Sequence, residues 1–187
     1  MISLDPGLRT FMTGISENGN IKIGNNVNKY ISDKLKRYRK ILKNSEIPNK
    51  IKIKNEKIIN KKIYNMIDDL HWKTIKYLTH NYETILMGDM SAQKIVNSEN
   101  SKLSKITKVA CLRTRFYDFY LRLKYKCELY KINFKLVDES YTSKCCSYCG
   151  NIKDNLGDSK IYICNKCNKI LDRDINGARN IYFKNLL

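Results

Sequence analysis

The C-terminal part of the chain contains Thr142-Ser143-Lys144-Cys145-Cys146-Ser147-Tyr148-Cys149-Gly150, then Cys164-Asn165-Lys166-Cys167, and then Leu171-Asp172-Arg173-Asp174-Ile175-Asn176-Gly177-Ala178-Arg179-Asn180. A Cys-x-x-Cys turn offers two thiolates at the spacing that tetrahedral zinc requires, and two such turns complete a set of four ligands. Four cysteines leave no open position on the ion, so the predicted zinc is structural. This stretch therefore predicts a zinc ribbon directly beside an acidic segment.

The predicted zinc ligands are Cys146, Cys149, Cys164 and Cys167, with 14 residues between the two pairs. Cys145 competes with Cys146, but it would form a Cys-x-x-x-Cys turn, so Cys146 is preferred. The alternative is two unrelated pairs of free thiols, which the paired spacing disfavours. Two further cysteines, at positions 111 and 127, fall in a predicted helix and are expected to be small core residues.

Charge and composition restrict the class of protein. The 187 residues suit one domain with a small appendage, and 42% hydrophobic residues suffice for a core. Lys and Arg number 36 against 18 Asp and Glu, a net charge of +18 that indicates a polyanionic partner, nucleic acid before a membrane surface. The sequence shows neither an apolar run of ~20 residues nor a secretion signal. We therefore expect a cytoplasmic or nucleus- or nucleoid-associated protein that is not secreted.

The order of predicted elements indicates an α/β fold. Residues 2–4 form a short apolar segment, and residues 9–15 and 19–23 suggest antiparallel strands joined by a tight turn. Two more strands are predicted at Thr84–Gly88 and Asn133–Val137, and residues 91–101 are polar and loop-like. Helices are predicted at residues 27–42, 53–79 and 105–130 and from residue 174 onward. Five strands with flanking helices fit a ribonuclease-H-like mixed sheet with an inserted zinc ribbon.

Several carboxylates follow predicted strands or open the last helix. Phosphodiester hydrolysis by two divalent ions needs such groups to converge, and Mg²⁺ prefers oxygen ligands. The candidates are Asp5, Asp174, Asp89 and either Asp138 or Glu139. Taken singly, Asp5 is explained as a turn residue, Asp174 as a helix N-cap and Asp89 as a loop cap. Taken together, beside a zinc ribbon and a strong positive charge, a catalytic role competes with these explanations.

The two histidines lack the spacing of a metal-binding pair. His71 and His80 lie in or near the long predicted helix. We expect His71 to be a packing or polar-contact residue and not a catalytic base.

Three segments resemble a known family in the same order along the chain. They are Leu4-Asp5-Pro6-Gly7-Leu8-Arg9-Thr10-Phe11, Tyr141-Thr142-Ser143-Lys144-x-Cys146-Ser147-x-Cys149-Gly150 and Asp172-Arg173-Asp174-Ile175-Asn176-Gly177-Ala178-Arg179-Asn180-Ile181. The chain thus resembles the RuvC-like nuclease half of TnpB proteins, the OrfB transposases of insertion sequences, whose relatives include the Fanzor proteins and compact type V CRISPR nucleases. The resemblance implies RNA-guided, Mg²⁺-dependent cleavage of DNA in transposition, with a guide RNA and DNA as partners.

The resemblance also implies site residues. Asp5 matches the first RuvC carboxylate and Asp174 the last, with Asp172 as a competitor for Asp174. The family's middle motif usually places a Glu where this chain has Gly88, before Asp89. Fanzor-like relatives instead have a Glu just upstream of the Tyr-Thr-Ser run, and Glu139 stands there. The expected set is Asp5, Glu139 and Asp174 around two Mg²⁺ ions, with Asp89 in reserve.

The resemblance further implies a domain division. Residues 1–141 and 170–187 would form an N-terminally truncated RuvC-like domain, with the zinc ribbon inserted at 142–169. The family's guide-binding half precedes its first catalytic Asp, so a truncated or split copy is expected.

One alternative function is a non-catalytic nucleic-acid-binding remnant that keeps the zinc ribbon and basic helix faces. Its candidate phosphate contacts are Lys34, Lys36, Arg37, Arg39, Lys40, Lys52, Lys54, Lys57, Lys61 and Lys62. A zinc-stapled scaffold for protein partners is a weaker third hypothesis.

Overall fold

The computed structural model describes residues 1–90, 103–138, 142–154, 156 and 159–185. Its centre is a five-stranded mixed sheet with the strand order β3-β2-β1-β4-β5. The strands are β1 Ile2–Pro6, β2 Thr10–Ser16, β3 Gly19–Asn25, β4 Thr84–Gly88 and β5 Asn133–Val137. β1 pairs antiparallel with β2 and parallel with β4, so the short apolar segment at the start of the chain forms the central strand.

The β2–β3 hairpin follows from its turn sequence. Ser16 pairs with Gly19 across a two-residue loop, and Gly19 adopts a φ of 115° that side-chain-bearing residues rarely adopt. The predicted antiparallel strands and tight turn are therefore confirmed.

Helices cover both faces of the sheet. They are α1 Val27–Lys43, α2 Asn49–Asn81, α3 Lys105–Arg113, α4 Phe116–Leu129 and α5 Arg173–Lys184. Strand residues alternate between faces, so Ile2 and Leu4 of β1 enter the main core with residues of α1 to α4. Ser3 faces the other side, where its hydroxyl donates to the Ala178 carbonyl of α5 at 2.8 Å. The pattern of a mixed sheet with flanking helices confirms the predicted fold class.

One helix prediction was wrong. Residues 105–130 form two helices, because Thr114 and Arg115 interrupt the run and Arg115 takes a left-handed φ of 51°. The Arg115 guanidinium stacks on the Tyr64 ring at 4.0 Å and pairs with Asp68 at 3.5 Å. The break starts α4 at Phe116, which stacks on Phe11 in the core. Tertiary contacts thus override a continuous apolar pattern.

The other differences are one helix boundary and two short strands. The second helix begins four residues before its predicted start, directly after Pro48, whose fixed φ suits a helix start. Two strands of three residues were not predicted, namely β6 Ile161–Ile163 and β7 Ile170–Asp172. The polar segment at 91–101 lies outside the described residues.

His71 is a core residue, as predicted. It is fully buried, it stacks on Phe11 with ring centroids 5.3 Å apart, and its Nε2 lies 2.9 Å from the Thr114 carbonyl oxygen. Its Nδ1 lies 3.4 Å from an Arg122 nitrogen, so a neutral ring with Nε2–H donates to Thr114 and accepts from Arg122. Burial lowers the pKa of His71 to about 4.

The two cysteines outside the ribbon are also core residues, as predicted. Cys111 and Cys127 are fully buried, and burial raises the pKa of both thiols to about 11. They remain protonated and pack as small apolar side chains. Within the described ranges, no helix combines the length and apolar character that a membrane crossing requires.

Candidate functional site

The four predicted zinc ligands form a compact cluster. The Sγ atoms of Cys146, Cys149, Cys164 and Cys167 all lie within 4.8 Å of one another. The Cys146–Cys167 and Cys149–Cys164 sulfur distances are 3.7 and 3.5 Å. A tetrahedron with Zn–S bonds of ~2.3 Å has edges of about 3.8 Å, so the cluster has the size and donor chemistry for a zinc ion.

Two similar turns build this cluster. In the first, the Gly150 N–H donates to the Cys146 carbonyl at 2.9 Å, and Gly150 has a φ of 70°. In the second, the Asn168 N–H donates to the Cys164 carbonyl at 3.1 Å, and Asn168 has a φ of 55°. Glycine and asparagine tolerate this left-handed conformation, which lets each turn reverse.

Backbone N–H groups favour the thiolate form of one cysteine in the second turn, Cys164. The N–H groups of Cys167 and Lys166 lie 3.5 and 3.4 Å from the Cys164 sulfur. The hydrogen bond from Cys167 lowers the pKa of the Cys164 thiol, because it favours the thiolate. The thiolate is the form that binds metal.

Cys145 lies outside the cluster. Its thiol lies 3.5 Å from the Gly150 carbonyl oxygen.

The small sheet of β6 and β7 closes the cysteine-containing segment, and the buried Tyr162 donates its hydroxyl to the Lys144 carbonyl at 3.0 Å. β7 reaches Asp172, three residues past the domain boundary expected at 169.

The last helix, α5, contacts the cysteine-containing segment through two asparagines spaced one turn apart. The Asn176 side chain accepts from the Ser147 N–H at 2.9 Å and donates to the Cys145 carbonyl at 2.6 Å. The Asn180 amide donates to the carbonyls of Thr142 and Cys145, each at 2.7 Å. Asn176 is fully buried, and these bonds join residues 142–147, at the start of the first cysteine turn, to the helix that carries Asp174.

Another face of α5 packs on the sheet. Residues 174, 177, 178 and 181 recur at three and four, the spacing of one helix face. Ile181 packs with Leu86 and Val137, and Ala178 accepts the hydrogen bond from Ser3. A Cβ atom at Gly177 would lie 2.5 Å from Asp5 Oδ2, so the helix approaches the Asp5 carboxylate as closely as a glycine permits.

The N-cap of α5 is Asp172, not Asp174. The Asp172 carboxylate accepts from the N–H groups of Asp174 and Ile175 at 3.0 and 3.1 Å, and from Lys22 Nζ at 2.6 Å. Burial raises the pKa of Asp172, but the hydrogen bonds from Lys22 and the two N–H groups outweigh it and leave the pKa lowered. Capping therefore does not explain Asp174, which lies in the first turn.

Asp5 and Asp174 line the same cleft. The cleft has a volume of about 820 Å³, and it lies beside the sheet between α1, the start of α5 and residues Thr142 and Ser143, which precede the first cysteine turn. Its lining also contains five basic residues, namely Arg9, Lys29, Lys36, Lys160 and Arg173, against one further acid, Asp33. Two carboxylates inside a basic cleft suit a divalent cation and an anionic ligand together.

The other predicted carboxylates lie elsewhere or outside the described residues. Asp89 is exposed, its N–H donates to the Val137 carbonyl at 3.0 Å, and it is not among the described residues lining the cleft. Asp138 pairs with Lys184 at 3.1 Å. Glu139 lies outside the described residues. In the part of the chain described, the cysteine cluster is the only group of three or more potential ligands close enough to share an ion.

Sequence reasoning assigned no role to Gly177, Asn176 or Asn180. A glycine inside a helix lowers its stability by about 1 kcal/mol relative to alanine. A glycine at such a position therefore indicates that another group comes too close for a side chain. Two asparagines at i and i+4 share a helix face and can bond the same neighbouring segment. These signals were present in the sequence, but the contacted groups were not identifiable from it.

Comparison with known proteins agrees with this architecture. Residues 116–181 match the family model described as Cas12f1-like, TNB domain. Over 190 aligned residues the chain is 34% identical to the TnpB-like protein L79 of Acanthamoeba polyphaga mimivirus, covering 95% of the chain. This chain is a TnpB-type protein. It spans 36% of the length of L79.

Solved structures show the same fold for this TnpB-type chain. A cryo-EM structure of a Cas12f1–sgRNA–target DNA complex matches with a TM-score of 0.61 and 21% identity, over 97% of this chain and 49% of that one. A CRISPR–Cas12f ternary complex matches with a TM-score of 0.65 and 20% identity, over 97% and 38%. The RuvC-like fold class is thereby confirmed.

Proposed function

We propose that this chain is the RuvC-like part of a transposon-encoded DNA endonuclease that hydrolyses phosphodiester bonds. Asp5, Asp174 and Glu139 would hold Mg²⁺, and the four clustered cysteines would hold a structural zinc ion. Support comes from one observation above all: Asp5 and Asp174, 169 positions apart in sequence, line one basic cleft. Glu139 enters the proposal through the family resemblance alone.

The chain's own groups have distinct tasks in this proposal. The carboxylates of Asp5 and Asp174 present hard oxygen donors, which suit Mg²⁺. When bound there, divalent ions lower the pKa of an attacking water and stabilise charge on the phosphate oxygens. The basic lining, which includes Arg9, Lys29 and Arg173, would orient the phosphate backbone of the strand.

The zinc ribbon would act as a positioning element. Its first turn is hydrogen-bonded to α5 through Asn176 and Asn180, and α5 carries Asp174. Such a link restrains the helix so that one carboxylate stays opposite the other. We propose residues 1–141 and 170–187 as the nuclease domain and 142–169 as the inserted ribbon.

The nucleic acids bound by a matched structure suggest the partners of this chain. The matched Cas12f1 structure contains sgRNA and target DNA. We propose that this chain likewise acts on DNA, and that guide RNA is a partner of the longer family form.

The test uses the zinc-loaded chain with single-stranded DNA and Mg²⁺ or Mn²⁺. Asp174→Asn keeps the side-chain volume but removes the charge, so cleavage should fall by at least about 10²-fold and Mn²⁺ binding should weaken. Asp69→Asn, an exposed acid that pairs with Lys73 on α2, is the matched control and should leave both unchanged. Equal cleavage by wild type and Asp174→Asn would refute the assignment.

A non-catalytic nucleic-acid-binding role is the second candidate. Residues 27–62 contain 13 Lys and Arg against three acids, a basic segment that binds phosphates whether or not the carboxylates act. Salt-sensitive DNA binding without cleavage or Mn²⁺ binding by the wild-type chain would favour this candidate.

A further inference from the structure

One face of α1 forms a wall of the cleft. Asn28, Lys29, Ser32, Asp33 and Lys36 all line it, and their spacing of three and four places them along one side of the helix. The opposite side is held by the core, because Ile31, Leu35 and Tyr38 are buried. The rotation of α1 about its axis is therefore determined, and with it the direction in which its basic residues point.

The same face continues beyond the cleft as a row of exposed lysines. Lys29, Lys36, Lys40 and Lys43 lie within about 40° of a common direction at 100° per residue. From Lys29 to Lys43 the row extends about 21 Å at 1.5 Å per residue. That length matches about six phosphates at the ~3.4 Å axial spacing of one DNA strand.

The row leads into a basic helical hairpin. α2 has no buried residue before Ile63, and α1 has none after Tyr38, so the ends of both helices extend beyond the core. The only acid on the lysine face is Asp33, which lies 3.6 Å from Lys36 as a largely exposed pair worth little energy. The face therefore carries a net positive charge that the described protein residues leave uncompensated.

Asn28 fixes the cleft end of the row. Its buried side chain donates to the Leu8 carbonyl at 2.5 Å, which holds the start of α1 against the loop after β1.

We propose that Lys36, Lys40 and Lys43 bind the phosphate backbone of a single nucleic-acid strand that leaves the cleft along α1. The inference rests on the proposed function, because that function places a strand in the cleft. Lysine ammonium groups contact phosphates as point charges without reading bases. The row therefore determines where the strand runs, and it binds the strand in either 5′–3′ direction. Sequence selection lies elsewhere.

The test compares two triple variants of equal charge change. The first is Lys36→Gln/Lys40→Gln/Lys43→Gln. The matched control is Lys76→Gln/Lys124→Gln/Lys131→Gln, three exposed lysines that do not line the cleft among the described residues. Binding of a fluorescent mixed-sequence DNA of about 20 nucleotides, and of the same sequence as RNA, is measured by anisotropy across a salt series without Mg²⁺.

Loss of three contacts should lower the slope of log K against log salt by about 2, at ~0.7 for each phosphate on a single strand. If the two proteins bind equally at 1 M salt, this slope difference makes the variant bind about 10²-fold more weakly than wild type at 0.1 M salt. The α1 triple should show this loss for both DNA and RNA, and the control triple should bind like wild type. Circular dichroism and zinc content should be unchanged in both variants.

Other outcomes separate this inference from the proposed function. Wild-type-like binding by the α1 triple, with Mg²⁺-dependent cleavage intact, would overturn the lysine row alone. Equal losses in both triples would also overturn it, because binding would then follow total charge. Absence of strand binding by the wild-type chain would overturn the inference together with the proposed nucleic-acid partner.

Discussion

Replacement of Gly177 by alanine would place a methyl group against the Asp5 carboxylate. The added Cβ would lie 2.5 Å from Asp5 Oδ2, whereas ordinary van der Waals contact begins at 3.4 Å. Either the carboxylate or the helix must therefore move by about 0.9 Å. The contacts of α5 decide which of them moves.

The helix is the better anchored of the two. Asn176 and Asn180 make four hydrogen bonds to the backbone of residues 142–147, and Ala178 accepts one from Ser3. Moving α5 strains these bonds, whereas a change of side-chain torsion moves the carboxylate. We therefore expect Asp5 to be displaced while the fold persists.

The magnitude follows from catalytic geometry. A displacement of about 1 Å can reduce a positioned reaction by about 10²-fold. Alanine favours helix over glycine by about 1 kcal/mol, and overpacking costs about 1–3 kcal/mol. Gly177→Ala should thus change the free energy of unfolding by less than about 2 kcal/mol while cleavage and Mn²⁺ affinity fall sharply.

The assay combines Mn²⁺ titration calorimetry, DNA cleavage and chemical denaturation on zinc-loaded protein. Ala178→Gly is the matched control, because it weakens the helix by about 1 kcal/mol at the next position without adding atoms near Asp5. It should lower stability and leave Mn²⁺ affinity unchanged. A folded Gly177→Ala protein with wild-type Mn²⁺ affinity would refute the reasoning.

Three further predictions concern the core, the zinc turns and their junction with α5. His71 binds a proton below pH 6.5 when unfolded but only near pH 4 when folded, so stability should fall as pH drops through this window, by about 2 kcal/mol at pH 5; denaturation of His71→Gln should show a flatter pH profile. Cys146→Ser should lose its zinc and unfold at lower temperature, whereas Cys145→Ser should keep it, as measured by atomic emission and calorimetry. Asn176→Ala should destabilise the chain by about 2–3 kcal/mol, because the Ser147 N–H and the Cys145 carbonyl lose their partner.

Each of these predictions has a control variant or an outcome that would contradict it. His80→Gln changes an exposed histidine on α2 and should keep the wild-type pH profile. Zinc retained by Cys146→Ser but lost from Cys145→Ser would reverse the ligand assignment. Asn185→Ala removes a partly buried hydrogen bond from the C-cap of α5 to the Ile181 carbonyl and should cost less than Asn176→Ala, whose side chain is fully buried. Equal costs would argue against the junction with the ribbon.

Local patterns accounted for most of the fold. Alternation and turn residues predicted the β2–β3 hairpin, and β4 and β5 have their predicted bounds. The break at Arg115 escaped prediction because its stabilising groups, the Tyr64 ring and Asp68, lie far away in sequence on α2. Strands β6 and β7 escaped because three residues are too few to show a period.

The amino-acid sequence by itself determined the parts of the site whose chemistry is local. Two Cys-x-x-Cys turns predicted the four cysteines that cluster in the structure, because each turn spans four residues and depends only on its own local backbone. Only the tertiary structure decided that Asp172 caps α5, that Asp174 shares a cleft with Asp5, and that Gly177 and Asn176 serve the junctions around them. Those roles depend on distances between residues up to 172 positions apart, and such distances exist only once burial of the apolar faces has packed α5 against β1.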